Sequence, residues 1–138
     1  VTGNRVHIAH LGDSRAYLLR DGELSQLTRD HSWVVENVEA GNLTLEQARV
    51  HPNRNVITQA MGINAEPAVQ TKTLDLRDGD LLLLCSDGLH GLIGDDEIKE
   101  LLQSGKPEQA IEDLIQRAKD LGGNDNITVV IGTVKRQG

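Results

Sequence analysis

The chain has 138 residues, enough for one domain with its own apolar core and no need of disulfides or a structural metal. Its 14 Lys and Arg residues are scattered and outnumbered by 21 Asp and Glu residues, which argues against a nucleic-acid partner. The single cysteine, Cys85, excludes a disulfide framework, and no apolar stretch approaches the ~20 residues that span a bilayer. We therefore expect a cytoplasmic protein with no membrane segment in this chain.

The first thirty residues predict short strands separated by polar turns. Residues 5–11 and 15–20 alternate as strands around a Gly-Asp-Ser turn at 12–14, and an Asp-Gly turn at 21–22 leads to a strand at 24–28. Three antiparallel strands are therefore expected in close succession. The turn at 12–14 has three possible roles: a plain connection, the nucleophile turn of a serine hydrolase, or a turn that presents a carboxylate to a metal.

The pattern becomes helical over residues 31–52. Thr44 and Gln47 have the spacing of a capping box, and Pro52 ends the segment.

Two strands are predicted next, at residues 69–76 and 81–85. Because residues 81–85 are apolar on both faces, we expect this strand to be covered on both sides in a layered fold.

Two helices and a strand are predicted for the rest of the chain. Asp95 and Asp96 cap the first helix, and Pro107 lies in the first turn of the second, which stops at a Gly-Gly pair at 122–123. The last strand covers residues 127–134. The mixture of antiparallel strands and helices predicts an α+β fold.

Three aspartates stand at strand ends beside glycine or asparagine. Asp13 follows the first strand, Asp87 follows the buried strand, and Asp125 precedes the last strand. Taken singly, each is better explained as a turn former, since Asp-Gly and Asn-Asp are ordinary turn dipeptides. Together they could converge at one rim of a sheet sandwich and bind hard cations through oxygen.

Four segments carry a family resemblance in their order along the chain: GDSRAYLLRDGELSQLTRDHS, NVITQAMG, LLLLCSDGL and GGNDNITVV. This order resembles the metal-dependent Ser/Thr protein phosphatases of the PP2C (PPM) family in their bacterial form. The resemblance covers essentially residues 1–138, with 31–52 as the helical flap of bacterial members. It implies part of a four-layer α/β/β/α sandwich, with two antiparallel sheets inside and helices outside.

The resemblance also assigns roles to the three aspartates. It implies that Asp87 and Asp125 are ligands of a binuclear Mn²⁺ or Mg²⁺ centre. Asp13 matches the acid that, with Asp87, holds the additional, more weakly bound cation of bacterial members. Ser14 and Arg15 are then structural residues. Two cations ~3.5–4 Å apart would position a water for in-line attack on phosphorus, so the expected activity is hydrolysis of phosphoserine and phosphothreonine in proteins.

One part of the family pattern does not occur in this sequence. The family has an N-terminal Asp-Gly-x-Gly-Gly loop, whose aspartate bridges the two metals, and an upstream arginine for the substrate phosphate. We expect the N-terminal part of the catalytic domain to be missing here. The chain alone is then expected to be inactive, to bind metal weakly and to self-associate through an exposed sheet edge and an apolar face.

Two alternatives remain open. The first is an esterase of the GDSL/SGNH type, which the Gly-Asp-Ser turn at 12–14, the D-x-x-H pattern at 87–90 and the G-x-N-D pattern at 122–125 resemble, although in an unusual order. The second is a phosphatase-like module that binds partners without catalysis.

Under the phosphatase hypothesis the partners are phosphoprotein substrates together with Ser/Thr kinases and their targets. Arg54 is the candidate for contact with the substrate phosphate, although it is better explained as a solvated loop arginine. His7, His10 and His51 are expected to be packing or surface residues.

Overall fold

The computed structural model describes residues 1, 3–30, 32–53, 69–123 and 126–135. The strands of this part of the chain are β1 (Arg5–His10), β2 (Arg15–Arg20), β3 (Glu23–Gln26), β4 (Gln70–Asp75), β5 (Leu81–Cys85) and β6 (Val129–Thr133). Its helices are α1 (Trp33–Glu39), α2 (Leu45–Val50), α3 (Asp87–His90), α4 (Asp95–Gln103) and α5 (Pro107–Asp120). None of these helices is both long and apolar enough to cross a membrane.

The described strands form two antiparallel sheets, one with the order β3-β2-β5-β6 and a two-stranded sheet of β1 and β4. The prediction of three successive antiparallel strands holds for β2 and β3, which pair with each other. It fails for β1, which pairs with β4 of the other sheet. Alternation sets the face that a side chain occupies but does not name the neighbouring strand. The turn at 12–14 therefore carries the chain from one sheet to the other.

The prediction that β5 is covered on both faces is confirmed for most of its length. Leu83 and Cys85 are buried in the core that the four-stranded sheet forms with the helices, where Ile98 of α4 and Leu114 of α5 are also fully buried. On the opposite face, Leu82 packs in a smaller core shared with the two-stranded sheet. This arrangement places helices outside and sheet against sheet inside.

Most of the helix-capping signals predicted from the sequence occur in the structure. Thr44 and Gln47 make both hydrogen bonds of the predicted capping box at the start of α2. Pro107 occupies the first turn of α5. The residue at the N-cap of α4 is Gly94, so Asp95 begins the helix instead of capping it. A carboxylate in the first turn still stabilises the positive end of the helix dipole.

The short helix α3, which the sequence patterns did not predict, is packed tightly against the chain that leads to β6. A Cβ atom at Gly88 would lie 2.2 Å from the carbonyl oxygen of Asn126. The Ser86 amide donates to the Thr128 carbonyl at 3.1 Å, and the Thr128 amide donates to Ser86 Oγ at 3.0 Å. Leu89 is fully buried in the core beneath the helix. These contacts fix the position of Asp87, the first residue of α3.

We predict that Gly88→Ala destabilises the fold by about 1–3 kcal/mol, the usual cost of overpacking. Alanine is a better helix former than glycine, so a loss of stability here must come from the clash with Asn126. Gly132→Ala is the matched control, because a Cβ there meets nothing within 4 Å. Urea denaturation of both variants provides the comparison. Equal stability of the two variants would show that α3 moves away from Asn126 at no cost.

Candidate metal centre

Asp13 and Asp87 meet at one end of the four-stranded sheet. Strands β2 and β5 pair with Arg15 opposite Cys85, and extending that register by two residues brings position 13 opposite position 87. The Asp13 carboxyl group lies close enough to Asp87 for the charge of Asp87 to raise its pKa. Residues 74 positions apart in the sequence are thus brought together by one strand pairing (87 − 13 = 74).

Burial and the neighbouring Asp87 change the protonation of Asp13. Burial is the main cause that raises the pKa of Asp13 to about 6, and the nearby Asp87 carboxyl group raises it further. Two carboxylates in one site repel each other unless a proton or a cation lies between them. The pair therefore favours binding a positive charge.

Two histidines hold the backbone of the turn that carries Asp13. His90 Nε2 lies 2.7 Å from the carbonyl oxygen of Asp13, and His10 Nε2 lies 2.7 Å from the carbonyl oxygen of Ser14. A carbonyl oxygen can only accept, so each ring donates through Nε2–H. Burial, followed by the charge of Arg15, lowers the pKa of His90. His10 is buried, whereas His7 is exposed on the outer face of β1.

The sequence analysis missed the role of His90. It follows Asp87 by three positions, the spacing that places two side chains on the same face of a helical turn. That spacing was a usable signal only once residues 87–90 were known to be helical. His10 carried no comparable signal, since one histidine at the end of a strand is compatible with many environments.

Arg15 is held in a buried polar network beside the two acids. Its Nε lies 3.0 Å from both carboxylate oxygens of Asp30 and its Nη2 lies 2.6 Å from one of them. Its Nη1 donates to the Tyr17 hydroxyl at 2.9 Å, and that hydroxyl donates to Asp95 at 2.9 Å. Because Asp30 is 6% exposed, this ion pair is largely shielded from water. The network ties β2 to the chain that enters α1 and to the start of α4.

The acids line a cleft of about 870 Å³. Residues of α1 and α2 form one wall, and the chain from α3 to the start of α4 forms the other. Arg15 and Asp30 also line the cleft, between its two walls. A cavity of this size is in the usual range for ligand sites.

Two of the predicted site residues, Asp125 and Arg54, lie outside the described residues, as does the motif at 55–62. Within the described ranges, no group of three or more His, Cys, Asp or Glu side chains is arranged to hold a metal ion. The structure thus brings Asp13 and Asp87 together, and the positions of the other two remain predictions. Asn126, which follows Asp125, contacts the start of α3.

Neither serine nor cysteine chemistry is favoured by the described geometry. Burial raises the pKa of Cys85 to about 12, so its thiol stays protonated and is a poor nucleophile. Ser14 is exposed and leads directly into β2, whereas the esterase pattern needs its serine at the start of a helix. His90 already donates Nε2–H to a backbone carbonyl.

Two family models match the chain: Stage II sporulation protein E (SpoIIE) over residues 31–135, and Protein phosphatase 2C over residues 1–40. The chain is 44% identical over 133 residues to the serine/threonine protein phosphatase PstP of Mycobacterium tuberculosis, covering 96% of this chain and 26% of PstP. It is 42% identical over 138 residues to the protein phosphatase PhpP of Streptococcus pneumoniae, covering 99% of this chain and 56% of PhpP. The chain thus spans about half or less of these relatives.

Solved structures agree with these matches. The crystal structure of the Mycobacterium tuberculosis serine/threonine phosphatase PstP/Ppp has a TM-score of 0.93 at 41% identity and covers 99% of this chain and 57% of that one. The catalytic domain of PstP in complex with two manganese ions has a TM-score of 0.82 at 40% identity, covering 99% and 56%. The predicted family and the PP2C-like α+β fold are confirmed. The chain belongs to the bacterial-type PP2C (PPM) family of metal-dependent Ser/Thr protein phosphatases.

Proposed function

We propose that the protein containing this chain hydrolyses phosphoserine and phosphothreonine in proteins and depends on Mn²⁺ or Mg²⁺. The observation that carries the proposal is the contact between the Asp13 and Asp87 carboxyl groups in the cleft. The names of the relatives PstP and PhpP, and the two manganese ions in a PstP structure, support it.

The donor set in the cleft fits a hard divalent cation. Asp13 and Asp87 offer carboxylate oxygens, the ligands that Mg²⁺ and Mn²⁺ prefer. The pKa of Asp13 is raised by burial and by the charge of Asp87, and a cation between the two acids would offset both effects. We propose that Asp87 and Asp125 are ligands of the binuclear centre and that Asp13, with Asp87, holds the additional cation.

In this proposal the chain's own residues hold and orient the reacting groups. Bound cations would lower the pKa of an attacking water and offset the negative charge that develops on the phosphoryl oxygens. The guanidinium of Arg15 pairs with Asp30, so we assign Arg15 a structural role in the cleft. Arg54 is the candidate that the sequence offers for contact with the substrate phosphate. The walls of the cleft leave room for a phosphorylated segment of a protein.

The proposed partners follow from this activity. Phosphoproteins are the substrates, and Ser/Thr kinases and their targets are the opposing components in the cytoplasm. Self-association of the isolated chain is also proposed, and the neighbouring apolar side chains Leu84 and Val130 support it. They lie side by side in the register of β5 and β6 and are 47% and 53% exposed.

Removal of a ligand of the binuclear centre should abolish turnover of the full-length protein. Asp87→Ala and Asp125→Ala each take a negative charge from a site whose compensation is the cation, so metal affinity should collapse. Asp78→Ala is the matched control, because Asp78 also precedes a glycine but lies in an exposed turn before β5. Release of phosphate from a phosphoserine peptide at limiting Mn²⁺ is the measurement. Full turnover by either ligand variant would contradict the proposal.

Asp13→Ala should have a different effect. If Asp13 serves only the additional cation, the variant keeps the tightly bound pair but loses about 10- to 100-fold in turnover. Calorimetric titration with Mn²⁺ distinguishes the two classes of bound ion. Equal loss of tightly bound Mn²⁺ in Asp13→Ala and Asp87→Ala would show that the two acids share one role.

A further inference from the structure

We propose that His90 is a positioning residue for the metal centre, whose Nε2–H fixes the turn at 12–14 so that the Asp13 carboxylate stays beside Asp87. This inference rests on the proposed function, because it concerns the same site. It adds a residue that would neither bind the cation nor touch the substrate.

The first support is that helix α3 carries one acid of the pair and holds the backbone of the other. Helix α3 carries Asp87 at its first position and His90 at its last. His90 reaches across to the Asp13 carbonyl oxygen at 2.7 Å. Helix α3 therefore carries Asp87 and, through His90, also fixes the backbone of Asp13.

The second support is that α3 is itself immobilised. Leu89 is fully buried beneath it. Gly88 approaches the Asn126 carbonyl so closely that a Cβ would lie 2.2 Å away. A hydrogen bond donated from such an element can hold a loop in place.

The third support is that the turn needs an external constraint. Gly12 has φ of 105°, in a region that glycine adopts without the steric restriction of a Cβ. The bond from His90 acts on the backbone of Asp13 itself and fixes this residue against α3. His10 holds the next carbonyl, that of Ser14.

The test compares Mn²⁺ affinity among variants of the full-length protein. His90→Phe keeps an aromatic ring but removes the donor, so we expect the additional Mn²⁺, which Asp13 would hold, to bind about 10- to 100-fold more weakly, as for other groups that orient a metal ligand. His90→Gln restores an N–H donor and should bind within about threefold of the unaltered protein, well inside that range. His7→Phe is the matched control, because His7 is exposed and bonds to Thr73 on the outer face of the two-stranded sheet.

A double-mutant cycle with Asp13→Asn tests whether the effect passes through Asp13. In the Asp13→Asn background, His90→Phe should cause no further loss of Mn²⁺ affinity, because the ligand that His90 positions is already gone. Metal-free thermal unfolding checks that every variant is folded, and His90→Met replaces His90→Phe if that variant is not.

The possible results distinguish the role of His90 from the proposed function. Unchanged affinity for the additional Mn²⁺ in His90→Phe would overturn the role of His90 and leave the proposed function standing. The same conclusion would follow from equal losses in His90→Gln and His90→Phe, or from independent losses in the double-mutant cycle. Failure of the unaltered protein to bind Mn²⁺ would overturn the proposed function and this inference together.

Discussion

The contact between the carboxyl groups of Asp13 and Asp87 is the interaction on which the site depends. It is unfavourable by itself, since burial and like charge together raise the pKa of Asp13 to about 6. An unfavourable contact persists only where the surrounding structure imposes it. Here the pairing of β2 with β5 sets the opposition of the two positions, and the turn and α3 hold the side chains there.

The frame that imposes this contact has an apolar part and a polar part. The apolar part is the core between the four-stranded sheet and the helices, in which Leu83 and Leu89 are fully buried on either side of Asp87 in the sequence. The polar part is the network around Arg15 and Asp30, beside the acids. Breaking such a buried ion pair typically costs about 3–5 kcal/mol, so it constrains β2 strongly. The apolar core and the polar network thus support the part of the cleft that lies opposite α1 and α2.

Much of the fold and part of the site could be predicted from the sequence, for identifiable reasons. Alternation, turn dipeptides and capping signals are local, so they located the strands around Asp13 and the long helices. The partner of β1 and the short helix α3 depend on contacts between distant residues, which local patterns do not contain. The role of His90 was missed for the same reason, because its partner Asp13 lies 77 positions away. Asp125 remains a prediction from the family resemblance, and Arg54 remains a candidate from the sequence alone.

The most direct test of the central claim is a crystal structure of the full-length protein grown with Mn²⁺, with anomalous scattering recorded at the manganese edge. We expect anomalous density in contact with carboxylate oxygens of both Asp13 and Asp87. Manganese bound elsewhere at neutral pH, with neither of these carboxyl groups in contact with it, would contradict the claim that these acids form a cation site.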